Sequence, residues 1–277
     1  MTDSEGVEFL QWCLPRLHLR WRGFRKVRRR VYKRLNRRLQ DLGLPSVEAY
    51  RVYLEDHPVE WAMLDRLCWI NISRFYRDQG VFRHLQHEIL PQLAQQIVAR
   101  REREISCWSA GCAGGEEAYT LAIIWRYCLA TQFPTLCLRI VATDIDFEAI
   151  QRAERGCYRA SSVKDLPTEW RAEAFVTIAD ELCLKDEYRA PITFMVQDIR
   201  ERAPEGPFQL VLCRNLVFTY FDEILQKKTL QRLTDGLTPG GVLIIGNLES
   251  LPDGPWGIQP WSKRPGVYRK APETQCE

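Results

Sequence analysis

Aliphatic residues recur at helical spacing in the first part of the chain, with arginines between them. This pattern predicts an amphipathic helix that buries one stripe and turns its guanidinium groups outward. Gly43 and Pro45 end this helix, because glycine suits a left-handed cap and proline cannot continue a helix. Ser46 then caps a second helix, and a third is expected over residues 58–70. We therefore predict a helical domain and linker over residues 1–90; its buried stripe consists of Val27, Val31, Leu35, Leu39 and Leu42.

From about residue 104 the pattern changes to short apolar runs that alternate with amphipathic stretches. Strands that alternate with helices predict a doubly wound α/β fold, in which helices cover both faces of a parallel sheet. A second domain is therefore expected over residues 91–277. Its predicted strands are 105–109, 138–143, 193–196, 208–212 and 241–245, and its predicted helices are 116–131, 147–155 and 220–237.

One stretch of this second domain, residues 164–192, fits the alternation badly. Its β-forming segments, at 175–178 and 188–194, predict a small antiparallel insertion. The sequence TPGG at 238–241 is expected to form a tight turn into the last predicted strand. The prediction is therefore an α/β domain that carries a small β-subdomain.

The composition is that of an ordinary globular protein, with 45% hydrophobic and 27% charged residues. No run approaches the roughly 20 apolar residues that cross a bilayer, and the polar N-terminus does not resemble a signal peptide. We expect a soluble cytoplasmic protein without membrane insertion. The ten cysteines include no CxxC pair, so neither a disulfide framework nor a metal site is expected. Cysteines inside apolar runs are interpreted as small hydrophobes, namely Cys68, Cys107, Cys137 and Cys213.

Positive charge is concentrated near the N-terminus, although the net charge is only +3. We expect this basic surface to attract an acidic partner, while a solvated helix face remains the alternative. Few aromatic residues interleave with the cations, so a nucleic-acid partner is not expected. Residues 9–40 contain no acidic residue and twelve cations: Arg16, Arg20, Arg22, Arg25, Lys26, Arg28, Arg29, Arg30, Lys33, Arg34, Arg37 and Arg38.

A glycine-rich loop follows the first predicted strand and precedes its helix. Gly111, Gly114 and Gly115 allow a ligand to approach the backbone closely. Their spacing differs from the GxGxxG that cradles a pyrophosphate, which argues against a nicotinamide-dependent dehydrogenase. Glu116 and Glu117 would repel a phosphate, whereas they would tolerate a cationic sulfonium cofactor with an amino group. A plain turn between strand and helix is the alternative.

Polar residues also follow the later strands, at the edge where an open α/β sheet binds ligands. Asp144 can accept hydrogen bonds from two ribose hydroxyls, whereas Asp146 is better suited to cap a helix. Asp198 can accept from an adenine amino group while Ile199 packs on the ring; an exposed strand end is the alternative. Arg214 is costly to desolvate unless it serves a function, and pairing with one of the acids is the alternative for it.

Taken in order, these segments resemble the CheR-type chemotaxis-receptor glutamate O-methyltransferases over nearly the whole chain. The chain departs from that family at Ala118, which replaces a proline, and by one additional residue between Asn215 and Tyr220. It also has GNLE at 246–249 where the family often has GHSE. The segments that carry the resemblance are the basic helix at 28–35, NISRFYRD at 71–78, WSA at 108–110, GEEAY at 115–119, DID at 144–146, CRN at 213–215, YFD at 220–222 and GVYRK at 266–270.

The resemblance implies a Rossmann-like class I methyltransferase fold that uses S-adenosylmethionine and releases S-adenosylhomocysteine. It implies that the β insertion corresponds to a subdomain that docks a receptor tail in some members. It also places Arg77 and Tyr220 near the transferred methyl group as catalytic residues. With Gly111 from the glycine-rich loop, the expected cofactor-binding residues are Asn71, Ser73, Arg77, Gly111, Glu117, Asp144, Asp198, Ile199, Arg214, Asn215 and Leu216.

The predicted function is O-methylation of glutamate side chains on a methyl-accepting chemotaxis-type receptor, by a monomeric enzyme whose basic helix attracts the acidic substrate helix. A glutamate with a reference pKa near ~4.3 is already ionised, so no nucleophile-and-base pair is needed. Arg77 and Tyr220 would then orient the carboxylate and exclude water; an ion pair with Asp78 or Glu117 is the alternative for Arg77. Two other functions stay open, a methyltransferase for a small molecule or a different protein, and a non-catalytic cofactor-binding regulator. The additional residue before Tyr220 favours the first of these.

Overall fold

Helices form nearly all of the N-terminal part of the computed structural model, which describes residues 2–261 and 264–272. A 3₁₀ turn follows the first helix, and a π-helical turn joins the sixth to the seventh. The helices are α1 (Asp3–Cys13), α2 (Trp21–Phe24), α3 (Arg28–Asp41), α4 (Val47–Asp56), α5 (Glu60–Leu67), α6 (Gln79–His84) and α7 (Leu90–Ala99).

Strands and helices alternate in the rest of the chain. The helices are α8 (Glu116–Ile124), α9 (Phe147–Arg155), α10 (Ala160–Val163), α11 (Thr168–Ala174), α12 (Asp186–Arg189), α13 (Val217–Tyr220) and α14 (Glu223–Asp235). The strands are β1 (Glu104–Ala110), β2 (Cys137–Asp144), β3 (Cys157–Tyr158), β4 (Phe175–Ile178), β5 (Glu181–Leu184), β6 (Ile192–Val196), β7 (Phe208–Cys213), β8 (Leu237–Ile245), β9 (Ile258–Pro260) and β10 (Val267–Lys270).

The chain divides into two compact units. The described residues up to Ile70, together with residues 215–228, form the helical unit, and the other described residues form the sheet unit. The division therefore falls earlier than the predicted boundary at residue 90. The reason is packing, because Phe75, Tyr76 and Phe82 belong to the hydrophobic core of the sheet unit.

In the helical unit, α3 confirms the predicted amphipathic helix. Val31, Leu35 and Leu39 are buried along one stripe, and the helix ends at Asp41. The other two residues of the predicted stripe, Val27 and Leu42, flank the helix and are only half-buried. Gly43 follows with a φ of 66°, which is the left-handed conformation expected of it. The Ser46 hydroxyl accepts from the backbone N–H of Ala49 at 3.2 Å and so caps α4, as predicted.

A buried ion pair joins α3, α4 and α5. Arg38 donates two hydrogen bonds to the Glu60 carboxylate, at 2.8 and 2.6 Å, and the Tyr50 hydroxyl donates a third at 2.7 Å. Glu60 is only 8% exposed. The hydrogen bonds from Arg38 lower the pKa of Glu60, although burial acts in the opposite direction. A carboxylate so buried is stable only because three donors satisfy it.

The main sheet of the other unit has seven strands in the order β6-β2-β1-β7-β8-β10-β9. Parallel pairing joins the first five, from β6 to β8, whereas β10 runs antiparallel to both β8 and β9. The predicted doubly wound parallel sheet is therefore confirmed, with an antiparallel edge at its C-terminal end. The predicted turn at 238–241 is wrong, because this sequence lies inside β8 beside a register irregularity opposite β7.

The β insertion differs in part from its prediction. β4 lies where it was expected, but its partners are β5 and β3, which form a separate three-stranded sheet in the order β3-β5-β4. The predicted strand at 188–194 is wrong: Tyr188 lies in the short helix α12, and β6 pairs with β2 in the main sheet. A turn with Ala179 at a φ of 51° reverses the chain early enough for β4 and β5 to pair with each other.

The cysteines also differ from expectation at three positions. Cys157 and Cys183 face each other across the β3–β5 pair and form a disulfide, which the sequence analysis did not predict. Cys137 begins β2 and is exposed, so its interpretation as a buried hydrophobe is wrong. Cys68, Cys107 and Cys213 are buried as predicted. Within the described ranges, no cluster of metal-ligating side chains occurs and no helix is long and apolar enough to cross a bilayer.

Replacing Glu60 by Gln tests the buried ion pair of the helical unit. Because the pKa of Glu60 is lowered on folding, its contribution to stability is fully present above the unfolded value of about 4.3 and is lost as the pH falls through the lower folded value. We expect Glu60→Gln to lower the free energy of unfolding by about 1–3 kcal/mol at neutral pH. The difference from the wild type should shrink on acidification below about pH 4, as measured by urea unfolding.

The exposed Glu55 on α4 provides the matched control, because Glu55→Gln removes the same charge without removing a buried partner. Its free energy of unfolding should stay within about 0.5 kcal/mol of the wild type. A Glu60→Gln deficit that stays constant across the titration would show that the ion pair is not its source.

Candidate functional site

The strand order creates a single point in the sheet where the chain reverses direction. From β1 the chain proceeds outward through β2 to β6, and it then returns to the other side of β1 as β7 and β8. In doubly wound sheets the ligand lies at the carboxyl ends of the strands beside such a reversal. The segments that follow β1, β2 and β7 are therefore expected to line the ligand site.

The glycine-rich loop after β1 is anchored to the end of β2. The backbone N–H groups of Gly111 and Cys112 both donate to the Thr143 carbonyl, at 2.8 and 3.0 Å. Gly115 is the N-cap of α8 and has a φ of 86°, and a Cβ there would lie 2.9 Å from the Ala153 Cβ. Only glycine fits both that conformation and that space. The loop is thus a fixed backbone surface, which agrees with the role predicted for Gly111.

Asp144 ends β2 and lies beneath this loop. Its carboxylate is buried, with 7% of the residue exposed, and it accepts from the backbone N–H of Ala113 at 2.8 Å and of Asp146 at 2.9 Å. Burial raises the pKa of Asp144. A carboxylate offers about four acceptor positions, so each oxygen can still accept a hydroxyl proton. The arrangement suits the predicted contact with two ribose hydroxyls.

Asp146 caps α9, as the sequence predicted. One oxygen of its carboxylate accepts from the backbone N–H of Glu148 at 2.9 Å and of Ala149 at 3.3 Å. The other oxygen accepts from the side-chain amide of Asn71. This contact brings Asn71, a predicted cofactor residue from a distant part of the sequence, to the end of β2.

Arg214, which follows β7, is buried at the centre of a group of polar residues that we call the Arg214 cluster. Its guanidinium donates to Glu117 at 2.9 Å, to Asp78 at 2.7 Å and to the Arg77 carbonyl at 3.0 Å. Only 3% of the side chain is exposed, and the Phe82 ring lies 5.1 Å away. The pairing with acids that the sequence analysis left open for Arg214 is therefore confirmed, with two acids rather than one.

Glu117 is fixed from both sides by this cluster. One of its oxygens accepts from Arg214, and the other accepts from the Ser109 hydroxyl at 2.8 Å. Because a carboxylate can accept further hydrogen bonds, Glu117 remains able to receive the amino group of a ligand, as predicted. Ser109 and Asp78 were not predicted as site residues, since no local pattern marks a residue that acts through a distant arginine.

The side chain of Arg77 has a different environment from that of Arg214. It is half-buried and donates to the Ile72 carbonyl at 2.6 Å. The two acids considered as its alternative partners, Asp78 and Glu117, both pair with Arg214. Among the residues that the structure describes, neither acid forms an ion pair with Arg77. Most of its five N–H donors therefore remain available for an acidic group.

The end of β6 lies beside the end of β2, because the Gln197 N–H donates to the Asp144 carbonyl at 2.8 Å. Asp198 forms an ion pair with Arg200 at 2.9 Å and also accepts from the Arg200 N–H at 2.8 Å. Ile199 is buried. The predicted contacts of Asp198 and Ile199 with an adenine stay predictions, and the structure adds Arg200 as the partner that orients Asp198.

Glu116, which the sequence analysis considered only together with Glu117 as an acid compatible with a cationic cofactor, begins α8. Burial raises the pKa of Glu116, whereas hydrogen bonding by its own backbone and by Ser73 acts in the opposite direction. One of its carboxylate oxygens is buried and has no hydrogen-bond partner within the described part of the chain. Ser73, another predicted cofactor residue, thus lies near the start of the loop helix.

Three predicted residues belong to the helical unit. Asn215 has a φ of 56°, a left-handed conformation that asparagine tolerates better than most residues. The Leu216 carbonyl accepts from the N–H groups of Thr219 and Tyr220, at 3.2 and 2.9 Å, and so begins the short helix α13. The Tyr220 ring lies edge-on to Phe24 at 5.0 Å. These three residues are thus held in a single tight turn.

A family profile described as "CheR methyltransferase, SAM binding domain" matches residues 71–262, which is more than half of the chain. The chain belongs to the CheR methyltransferase family. It is 32% identical to the chemotaxis protein methyltransferase of Escherichia coli over 80% of this chain and 76% of that one. It is 30% identical to a probable chemotaxis protein methyltransferase of Rhizobium etli over 80% and 84% of the two chains.

A further relative is much longer than this chain. A 104.1 kDa protein of Rhodobacter capsulatus is 33% identical over 80% of this chain, but the chain spans only 23% of it. Among solved structures, the N-methyltransferase NodS of Bradyrhizobium japonicum with S-adenosylhomocysteine aligns with a TM-score of 0.31 and 16% identity over 59% of this chain and 64% of that one. The fold assignment rests instead on the strand order and on the family match.

This CheR family member is a methyltransferase of Rossmann-like class I fold that uses S-adenosylmethionine. The residues present fit that cofactor. A buried carboxylate at the end of β2 suits ribose, and the acids at the start of α8 suit a cationic methionine moiety better than a phosphate. The family match confirms the enzyme class and the cofactor that the resemblance implied, and the strand order confirms the fold, whereas the individual residue contacts stay predictions.

Removing the guanidinium of Arg214 should destabilise the sheet unit. Arg214→Met leaves Glu117 as a buried carboxylate that has lost its cation, which costs about 3–5 kcal/mol in the free energy of unfolding. Because Glu117 then loses its orientation, we also expect weaker binding of S-adenosylhomocysteine, by about tenfold. Urea unfolding and isothermal titration calorimetry measure the two effects.

The double variant Arg214→Met/Glu117→Gln separates the lost charge pairing from the lost packing. It removes the stranded charge, so it should recover part of the stability that Arg214→Met loses. Equal losses in the single and the double variant would show that the pairing with Glu117 does not stabilise the folded state.

Proposed function

We propose that this enzyme transfers a methyl group to glutamate carboxylates on a protein of the chemotaxis-receptor type. The observation that carries the proposal is the state of Arg77, a guanidinium next to the Arg214 cluster whose neighbouring acids pair elsewhere. Such a group is suited to hold an incoming carboxylate. The relatives named chemotaxis protein methyltransferase support the same choice of substrate.

The chemistry requires positioning more than proton transfer. When bound, S-adenosylmethionine supplies a methyl group that is already activated for transfer. A substrate glutamate is ionised at neutral pH, so no residue has to remove its proton. In this proposal Arg77 orients the carboxylate, and Asp144 and Glu117 hold the cofactor. The role of Tyr220, taken from the family resemblance, is to act near the transferred methyl group and help to exclude water. Orientation of this kind can lower a barrier by several kcal/mol, up to roughly 7–11 kcal/mol.

The experiment that tests this function uses methyl-labelled S-adenosylmethionine and membranes that contain the organism's own receptors. Carboxyl methyl esters release labelled methanol in alkali, so we expect alkali-labile label on a receptor-sized band. In Arg77→Ala the initial rate should fall on the order of 100-fold, because the carboxylate is no longer held in line. Binding of S-adenosylhomocysteine, measured by calorimetry, controls for an intact cofactor site.

Arg74 provides the matched control for that experiment. It belongs to the same sequence segment but is exposed and forms an ion pair with Asp165 at 3.3 Å. Arg74→Ala should methylate at nearly the wild-type rate. Label that resists alkali would identify a different acceptor group, and cofactor binding without any label would indicate a regulatory module. Near-normal turnover of Arg77→Ala would remove that residue from the mechanism.

We propose that the partner binds through the exposed cations of α3. Several of the twelve N-terminal cations have structural partners, since Arg28 pairs with Asp3, Arg34 donates to the Leu67 carbonyl and Arg38 pairs with Glu60. Eight of the twelve are exposed: Arg16, Arg22, Arg25 and Lys26 precede α3, whereas Arg29, Arg30, Lys33 and Arg37 lie in α3 and form the proposed partner surface. Three of them recur every fourth residue on one face of α3, namely Arg29, Lys33 and Arg37, and we call them the basic stripe.

Reversing the charge of the basic stripe tests this partner surface. The triple change Arg29→Glu/Lys33→Glu/Arg37→Glu should raise the KM for an acidic receptor by roughly tenfold or more, because steering of the substrate is lost. The affinity for S-adenosylhomocysteine should not change. The KM of the wild type should rise with salt, whereas that of the triple variant should depend on salt much less.

A control with the same change in net charge uses three exposed arginines of the sheet unit, Arg100, Arg101 and Arg103. Their replacement by Glu should leave the KM for the receptor near the wild-type value. An equal rise in both triple variants would show that overall charge, and not the basic stripe, governs the association.

We also propose that the enzyme acts as a monomer in the cytoplasm, as the sequence analysis expected. The face of a receptor that carries methylated glutamates has to be reachable by the enzyme. A cytoplasmic location is consistent with a polar chain that draws on S-adenosylmethionine as a dissolved cofactor.

A further inference from the structure

The four-residue helix α13, which carries Tyr220, cannot satisfy its own carbonyl groups. The last four carbonyls of any helix have no partner within that helix. Because α13 has only four residues, all of its carbonyls need a donor from outside the helix. The Val217 carbonyl accepts from the Phe221 N–H at 3.1 Å, where the chain leaves the helix. The carbonyls of Phe218, Thr219 and Tyr220 need donors from another part of the chain.

Arg20 supplies donors to all three of these carbonyls. Its backbone N–H donates to the Tyr220 carbonyl at 2.8 Å, and its Nε donates to the Thr219 carbonyl at 3.0 Å. Its Nη2 donates to the Phe218 carbonyl. The planar guanidinium can reach two adjacent carbonyls at once, and a cation is favourable at the C-terminal end of a helix. One residue therefore caps the whole helix.

The residues around Arg20 hold the same turn from both sides. Leu19 forms an isolated β-bridge with Phe221, and the His18 imidazole lies 2.9 Å from the Asp222 carboxylate. Gly23 allows the two backbones to touch, because a Cβ there would lie 2.3 Å from the Thr219 carbonyl oxygen. Contacts on both sides of Arg20 thus fix its position relative to α13.

We propose that Arg20 is a positioning residue for methyl transfer, which acts by fixing the helix that carries Tyr220. The proposal rests on the proposed function, in which Tyr220 acts near the transferred methyl group. It also gives one of the twelve N-terminal cations a task other than attraction of the partner. Arg20 is only partly exposed and donates to backbone carbonyls, whereas the basic stripe faces solvent.

The test replaces Arg20 by Met and, separately, by Lys. Arg20→Met keeps the backbone donor and an unbranched apolar stem but removes the side-chain donors to the Phe218 and Thr219 carbonyls. We expect kcat to fall by about 10- to 100-fold, because displacement of a positioned group by about 1 Å has effects of that size. Lysine can donate to one of the two carbonyls, so Arg20→Lys should fall between Arg20→Met and the wild type.

The affinity for S-adenosylhomocysteine and the KM for the receptor should stay within about threefold of wild type in both variants, because neither contact involves Arg20. Arg22 provides the matched control, since it lies two residues further on, is exposed, and has no ion-pair partner among the residues that the structure describes. Arg22→Met should retain the wild-type kcat.

A double-mutant cycle with Tyr220→Phe distinguishes positioning from general destabilisation. If Arg20 acts through Tyr220, adding Arg20→Met to Tyr220→Phe should lower kcat much less than it does in the wild type. Fully multiplicative losses in kcat, or a lower Tm with an unchanged kcat at the assay temperature, would overturn the proposal while the methyl-transfer function stands.

The two proposals can fail separately in this design. If the wild type releases no methanol from its labelled products, the proposed carboxyl methylation fails. If methanol is released but Tyr220→Phe turns over normally, Tyr220 has no part in transfer and the role of Arg20 falls with it. A reduced kcat in both Tyr220→Phe and Arg20→Met, with non-additive effects, establishes the role of Arg20.

Discussion

The arrangement at the end of β7 depends on a charge that is taken out of water. A guanidinium with 3% of its side chain exposed carries a large desolvation penalty, which is offset only when its charge and its donors are matched. In the sheet unit Asp78, Glu117 and the Arg77 carbonyl converge on the two Nη groups of Arg214, whereas its buried Nε has no partner among the described residues. The glycine-rich loop helix, the segment that precedes α6 and the end of β7 are thereby fixed relative to one another.

This constraint also explains why the guanidinium groups of Arg77 and Arg214 have different surroundings. The segment at 77–78 offers one guanidinium, one carboxylate and one carbonyl, and Arg214 takes the carboxylate and the carbonyl. The guanidinium of Arg77 is left with a single backbone acceptor, the Ile72 carbonyl, among the hydrogen bonds seen in the described structure. The buried pair thus leaves a cation poised for a negatively charged ligand without the need for a further acid to orient it.

Local patterns predicted the parts of the fold that local physics determines. The stripe of α3, the glycine that ends it, the Ser46 and Asp146 caps, and the five parallel strands depend on spacing and on single-residue conformations, and they were confirmed. The strand at 188–194 and the disulfide were missed because they depend on which strands pair across the insertion. Cys137 is exposed because it is the first residue of β2, ahead of the buried part of that strand. Likewise, the residue types of the site were predictable, but the partners of Arg214 and the two donors from the Arg20 side chain were not, since they join residues more than ninety positions apart.

The helical unit is built from two separate stretches of the chain, and that arrangement has a consequence for biosynthesis. Residues 215–228 complete it, so its first seventy residues leave the ribosome long before the turn that Arg20 caps exists. Domains generally fold from the N-terminus during synthesis, but here the earliest part has to wait for one of the latest. The donors of Arg20 and the space beside Gly23 stay open to water or to chaperones during that interval. The turn that carries Tyr220 can therefore fold only late in synthesis, and the delay depends on how fast the ribosome translates the sheet unit.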